Sequence, residues 1–200
     1  MMDVLLQEME AYAQQHQVPI INASGREVFC QVLRQVKPHR ILEIGTAIGY
    51  SALLAVSEGA ADAEVTTLEL DAERAAVAAA YIGRSAWAGR VHLRLGDAGV
   101  LLPQLPTGFD FVFMDAAKGQ YPDYWRKIQP LLSPEAVVVA DNVLFRGYVR
   151  GEDKPPRRYK TIVKRLREYL ALVEATPGFV TDIYENGDGL AVSRRIHEEK

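Results

Sequence analysis

Residues 40–51 read Arg40-Ile41-Leu42-Glu43-Ile44-Gly45-Thr46-Ala47-Ile48-Gly49-Tyr50-Ser51. A short apolar run stops at Gly45, a second glycine follows at Gly49, and a helical pattern begins at Tyr50. A brief apolar run bounded in this way predicts a strand buried on both faces. Glycines in the turn permit backbone conformations closed to other residues and let a ligand come close to the main chain. The helix N-terminus beyond them offers free N–H groups that suit an anion.

Working outward, residues 1–17 and 24–36 are expected to be helical. In the second, Val28, Phe29, Val32, Leu33 and Val36 recur at helical spacing, Ser24 with Glu27 forms a capping box, and Pro38 ends the helix. Further strands are predicted at 64–70, 91–95, 109–114 and 136–140, and helices at 50–58, 72–87, 98–105 and 119–130. A long amphipathic helix at about 158–174 carries Tyr159, Ile162, Val163, Leu166, Tyr169, Leu170 and Val173 on its apolar face. Two last strands, 179–184 and 190–194, flank the hairpin signal Asn186-Gly187-Asp188-Gly189. Strands alternating with helices imply right-handed crossovers and a largely parallel sheet, so the fold class is α/β. The terminal hairpin adds an antiparallel strand at one side. No repeat, low-complexity tract or linker divides the chain, so residues 1–200 read as one domain, with N-terminal helices over 1–37 and a ligand-binding core over 38–200.

The formal net charge is −3, from 23 Lys and Arg against 26 Asp and Glu, and this excludes a protein that coats nucleic acid with a uniformly basic surface. The charge is uneven, however. Residues 146–167 hold nine basic side chains (Arg146, Arg150, Lys154, Arg157, Arg158, Lys160, Lys164, Arg165, Arg167) and two acidic ones (Glu152, Asp153), an excess of +7 that leaves −10 on the rest. Within it, 150–157 (RGEDKPPR) reads as a mobile loop. The single cysteine, Cys30, excludes an intrachain disulfide and a thiolate metal cluster, and a reduced, cytoplasmic setting is expected. No signal-peptide pattern and no membrane-length apolar run is seen.

In an open parallel sheet, ligands collect at the carboxyl ends of the strands. The first strand ends in the glycine turn. The second ends in Glu69, whose carboxylate suits a pair of ribose hydroxyls, and the third in Gly96-Asp97-Ala98. Together these read as a site for a nucleoside-containing cofactor. The loop has the spacing G-x-x-x-G, which disfavours a dinucleotide, and no P-loop motif is present. The fourth strand ends in Asp115, with Lys118 three residues on, and the fifth in Asp141-Asn142. One aspartate at a strand end is read most simply as a helix cap. Two adjacent strand ends and an asparagine instead form a set of hard oxygen donors for Mg²⁺ or Ca²⁺.

The set Glu43-Ile44-Gly45-Thr46-x-x-Gly49-Tyr50-Ser51, Leu68-Glu69, Gly96-Asp97-Ala98, Met114-Asp115-x-x-Lys118 and Ala140-Asp141-Asn142-Val143 resembles the metal-dependent O-methyltransferases of the catechol and caffeoyl-CoA type, which use S-adenosylmethionine (SAM). The ending Gly187-Asp188-Gly189-Leu190-Ala191-Val192 resembles the family's last hairpin. The resemblance implies a Rossmann-like methyltransferase fold with a mostly parallel seven-stranded sheet and helices on both faces. It implies that Gly45 lies against the methionine part of SAM, that Ser51 binds its carboxylate, and that Glu43 supports the loop. Glu69 would take the ribose hydroxyls, and Asp97 and Ala98 would flank the adenine. Asp115, Asp141 and Asn142 would hold Mg²⁺ or another hard cation, with Asp115 facing both cofactor and acceptor and Lys118 as general base. A homodimer is implied as well.

Such chemistry needs an acceptor with two neighbouring oxygens, as in a catechol or in 5-hydroxyuridine. Catechol-type members are bulkier beside the metal aspartate, where this chain has Ala116 and Ala117. The stretch from Asp141 to Leu166 resembles the bacterial branch that converts 5-hydroxyuridine in the tRNA anticodon loop to 5-methoxyuridine. Arg146, Arg150, Arg157 and Arg158 would then bind phosphates near the site, and Tyr148 would stack on a base or pack within its loop. Lys164, Arg165 and Arg167 fit that role or a solvated helix face equally well. A small-molecule catechol or phenolic O-methyltransferase is the alternative. A non-catalytic SAM- or nucleotide-binding module is a third reading, which the intact set Asp115, Lys118, Asp141 and Asn142 argues against.

Overall fold

A computed structural model describes residues 2–185 and 187–196. Met1 of the first expected helix, Asn186 of the hairpin signal and residues 197–200 lie outside the described residues.

Two helices, α1 (Met2–His16) and α2 (Ala23–Val36), precede the sheet. Then come β1 (Arg40–Ile44), α3 (Tyr50–Glu58), β2 (Glu64–Glu69), α4 (Ala72–Arg84), β3 (Val91–Leu95), the short α5 (Ala98–Leu101), β4 (Phe109–Met114), α6 (Tyr121–Ile128), β5 (Leu132–Asp141), α7 (Lys160–Glu174), β6 (Phe179–Tyr184) and β7 (Leu190–Arg195). The seven strands form one sheet in the order β3-β2-β1-β4-β5-β7-β6. The pairs from β3 through β5 are parallel, and β7 runs antiparallel between β5 and β6. The strand order reverses beside β1, so the ends of β1 and β4 flank the crevice where such sheets bind ligands.

Each face of the sheet has its own core. Ile41, Val65, Phe111, Phe113 and Val139 pack against α1 to α4. Leu42, Ile44, Val112, Met114 and Val138 pack with α5, α6 and α7. This two-sided burial is why β1 reads as an apolar run and not as an alternation. Alternation along β1 puts Glu43 on the same face as Ile41, in register with Thr67, where it is 1% exposed.

Several boundaries differ from the expectations. The cap of α2 is Asn22, whose side chain accepts from the Gly25 N–H, and not Ser24 with Glu27. The helix starts two residues before the expected box position could cap it, and Ser24 Oγ serves Asn22 Oδ1 instead. The α4 helix stops at Arg84, because Ser85 Oγ bonds back to Ile82 O and the chain turns before Trp87. The β5 strand begins four residues early, at Leu132, with a register irregularity opposite β4.

Candidate active site

The carboxyl ends of the strands open on a cavity of about 890 Å³, the size of small-molecule sites. Gly45, Glu69, Asp97 and Ala98 line it beside β1, β2 and β3, and Asp115, Lys118, Asp141 and Asn142 beside β4 and β5. Eight residues singled out in the sequence are thus brought to one space.

Local chemistry explains each position. Gly45 has φ +101°, and a Cβ there would stand 2.2 Å from the Asp115 carbonyl oxygen, so only glycine lets the ends of β1 and β4 approach this closely. Glu69 Oε2 accepts from the Ala47 N–H at 2.8 Å, and Oε1 accepts from Leu70 and Asp71 N–H, both at 2.9 Å. The carboxylate therefore staples the glycine turn to the end of β2 and keeps acceptor capacity on Oε2 for a further donor. Asp97 stands at the start of α5 but makes no side-chain capping bond, which leaves its carboxylate available to the cavity. Glu43 and Ser51 do not line the cavity; both are buried behind it. Thr67 Oγ1 donates to Glu43 Oε2 at 2.5 Å, and Thr46 and Thr67 hydroxyls meet at 2.5 Å. Burial pushes the Glu43 carboxyl up to about 8; the Ser51 and Thr67 hydroxyls hold it back, and the charges of Asp115 and Glu69 add to the rise. Its Oε1 has no partner in hydrogen-bond geometry among the described residues.

At the other end, Lys118 Nζ bonds Asp115 Oδ1 at 2.5 Å and lies 5.5 Å from the Tyr121 ring centre. Asp141 is 4% exposed, and burial together with the charge of Asp115 raises its carboxyl to about 7, against the opposing effects of Lys118 and the Asn142 N–H. The Asn142 N–H donates to Asp141 Oδ1 at 2.7 Å, and Asn142 takes φ +56°. The buried Tyr121 hydroxyl lies 2.9 Å from Met114 O and 3.0 Å from Asp141 O, where it can donate to either and tie the two strand ends together. A hard divalent cation fits this set: two carboxylates that repel each other at the low-dielectric base of a cavity, with an amide beside them.

The four arginines expected to bind RNA lie outside the cavity lining. Arg146 and Arg158 stack on Tyr159, at 5.3 and 4.6 Å from its ring centre, with Phe145 and Tyr148 packed on the same ring. Tyr148 is therefore a packed loop residue. Arg150 pairs with Glu185, and Arg157 is exposed. Of the three helix cations, Arg165 pairs with Glu168, and Arg167 donates to Tyr148 O and Val149 O, holding the loop to α7.

Sequence reasoning missed Asn22, Asp71, Arg74, Tyr124 and Asp188 in the cavity wall, together with Pro19 and Ile20 from the α1–α2 connection. Asp71 stands two residues after Glu69 and could have been found as a strand-end acid. Asp188 stood in the hairpin signal, but its place beside Asp141 follows only once β7 is known to neighbour β5.

A family model described as O-methyltransferase matches residues 2–196. The catechol O-methyltransferase of Niastella koreensis is 34% identical over 76% of this chain and 71% of its own length. Caffeoyl-CoA O-methyltransferase 1 of Eucalyptus globulus is 26% identical over 96% and 81%. Among solved structures, the O-methyltransferase from Bacillus cereus in complex with SAH aligns with a TM-score of 0.86 at 25% identity, covering 96% of this chain and 90% of that one. An SAH-bound methyltransferase from Podospora anserina gives 0.86 at 28% identity, over 96% and 88%.

Proposed function

The chain belongs to the O-methyltransferase family, and we propose that it transfers the methyl group of SAM to the 5-hydroxyl of 5-hydroxyuridine in a tRNA anticodon loop, giving 5-methoxyuridine. The observation that carries the chemistry is one cavity joining a nucleoside-type end (Gly45, Glu69, Asp97, Ala98) to the set Asp115, Lys118, Asp141 and Asn142. Relatives solved with SAH support the cofactor. The choice of RNA rests on the basic segment that leaves β5 beside that cavity.

SAM supplies a methyl on a sulfonium, open to in-line attack by oxygen. Glu69 would hold the ribose hydroxyls, Asp97 and Ala98 would flank the base, and the turn Gly45–Gly49 would give room to the amino-acid end. Asp115, Asp141 and Asn142 would hold Mg²⁺ or a similar cation, which would supply Lewis-acid chemistry that lowers the pKa of an acceptor hydroxyl. Lys118, held by Asp115 at 2.5 Å, is placed to take or shield the acceptor proton. Positioning of oxygen against methyl supplies much of the remaining rate. Arg146, Arg157 and Arg158 offer cationic contacts to backbone phosphates, and Ala116 and Ala117 leave room for a base presented by a larger molecule. In this reading the enzyme works in the cytoplasm as a homodimer. Among the described residues, no helix is long and apolar enough to cross a membrane.

The second reading, a small catechol or phenol as acceptor, is favoured by the names of the curated relatives and by the internal partners of Arg150, Arg165 and Arg167. Labelled SAM and Mg²⁺ offered with hydroxyuridine-containing tRNA and, separately, with a catechol panel decide between them. Label in tRNA, abolished by Asp141→Ala, is expected. Label confined to the catechols would replace the RNA reading by the small-molecule one.

A further inference from the structure

The turn between β6 and β7 touches several walls of the cavity. Val143 N–H donates to Gly189 O at 3.1 Å, Leu144 N–H to Asp188 O at 2.8 Å, and Arg146 N–H to the Asp188 carboxylate at 3.1 Å. Gly189 is pressed so close to Leu144 that a Cβ would meet its side chain at 2.4 Å. On its other side, Gly187 faces the α2 cap, where a Cβ would stand 3.1 Å from Ser24 Oγ and 3.3 Å from Asn22 Nδ2. Asn22, Asn142 and Asp188 all line the cavity.

The loop held by this turn is strained. Asn142, Phe145 and Arg146 have φ of +56°, +38° and +57°, in a region that side chains with a Cβ rarely adopt, and Gly147 follows at +77°. Such conformations persist only where surrounding contacts over-determine them. Two of the clamping bonds come from the main chain of the turn. The third, to Arg146, comes from the Asp188 side chain and is the one a substitution can remove.

We infer that Asp188 is a positioning residue: its carboxylate locks the loop 142–147, with its left-handed residues Asn142, Phe145, Arg146 and Gly147, which keeps Asn142 in the cavity wall beside Asp115 and Asp141 and anchors the start of the basic segment at the cavity edge. The inference rests on the proposed cation site. Groups that orient metal ligands through hydrogen bonds commonly matter ten- to a hundredfold to metal affinity.

The test uses Asp188→Ala, Asp188→Ser and Asp188→Asn in the full chain. Hydrogen exchange of the 143–147 amides is followed without added metal, and Mg²⁺ and SAM affinities are measured by calorimetry. Asp188→Ala and Asp188→Ser should speed exchange at these amides and weaken Mg²⁺ by about tenfold. SAM affinity should hold within about twofold, because the Glu69 end is untouched, and this also shows that the variants fold. Asp188→Asn keeps an oxygen that can accept from the Arg146 N–H and should restore slow exchange and most Mg²⁺ affinity. Unchanged exchange in both shorter variants would overturn the inference. So would an asparagine variant as impaired as alanine, since charge and not the hydrogen bond would then be at work. Wild-type protein that binds no Mg²⁺ would refute the cation site, while the exchange data would still show whether Asp188 holds the loop.

Discussion

Glu43 is the sharpest test of the electrostatics. Its carboxyl is 1% exposed, faces the hydroxyls of Ser51 and Thr67, and is pushed from 4.5 to about 8, chiefly by burial. The folded protein therefore binds a proton at neutral pH that the unfolded chain has released. Linkage gives the sign: the native state holds more protons between these two values, so stability falls as pH rises through that window and levels off above about 8. At 1.36 kcal/mol per unit, the ionisation cost at pH 7 is about 3 kcal/mol, approaching about 4 at pH 8.

Glu43→Gln removes the titration and keeps the shape of the neutral acid. Its amide pairs imperfectly among Thr67 and Ser51, at a cost of about 1–2 kcal/mol that does not vary with pH. Urea unfolding of both proteins from pH 5 to pH 8.5 reads the difference directly. The variant should be slightly less stable at pH 5 and about 2–3 kcal/mol more stable at pH 8, with the crossing between. A difference that stays flat across the range would refute the reasoning, because it would mean that Glu43 carries the same charge in the folded and unfolded states.

Four further outcomes follow from the geometry. Tyr121→Phe removes a buried hydroxyl from between Met114 O and Asp141 O and should cost about 1–3 kcal/mol, a fall in Tm of roughly 2–4 °C per kcal/mol by calorimetry. Asp141 is raised to about 7, so the protein without divalent cation should lose stability as pH climbs from 3.8 towards 7; Mg²⁺ at a hundred times its Kd should then return about 2.7 kcal/mol at pH 8, reversed by EDTA, and no Mg²⁺ effect on Tm would count against the cation site. Gly45→Ala places a Cβ 2.2 Å from Asp115 O at φ +101° and should cost more than about 3 kcal/mol in chemical unfolding, the scale of the severest single substitutions. If Arg146, Lys154, Arg157, Arg158, Lys160 and Lys164 each meet one phosphate, the binding constant for a single-stranded anticodon loop should fall with a log–log salt slope of about −4, reduced to about −1 or −2 on replacing the last four by alanine.

The elements most legible in sequence were those whose environment is uniform. A strand covered on both faces has to be apolar throughout, so β1, β4 and β5 stood out, and the acids just past them could be placed on one edge before any coordinates. Asp115, Asp141 and Asn142 were found because strand ends fix their own location. Asp188, Tyr124 and Asn22 were not, because each reaches the cavity by long-range packing: one from a hairpin that returns beside β5, one from a helix, one from a cap in front of the sheet. The exposed cations were the least legible. Whether an arginine meets solvent, a carboxylate or a carbonyl depends on which element passes within reach, and a pattern of charges along one helix does not contain that information.

This division bears on the +7 segment itself. Arg167 has turned inward to the carbonyls of residues 148 and 149, Arg165 is neutralised by Glu168 one helical turn away, and Arg150 is paired across to Glu185. Arg167 ties the loop to α7, Arg150 ties it to the chain just past β6, and the Arg165 pair stays within α7. Among the described residues, Lys154, Arg157, Lys160 and Lys164 make no ion pair, while Arg146 and Arg158 lie against the Tyr159 ring without a carboxylate partner. The charges left for a polyanion therefore run from residue 146 to residue 164, and the nearest of them in sequence to the cavity, Arg146, has its backbone tied to Asp188 in the cavity wall. A chain of net charge −3 can accept an anionic substrate on these terms: the cations that fold the segment and the cations that remain free are different residues, so the free ones can be removed without dismantling the segment that carries them.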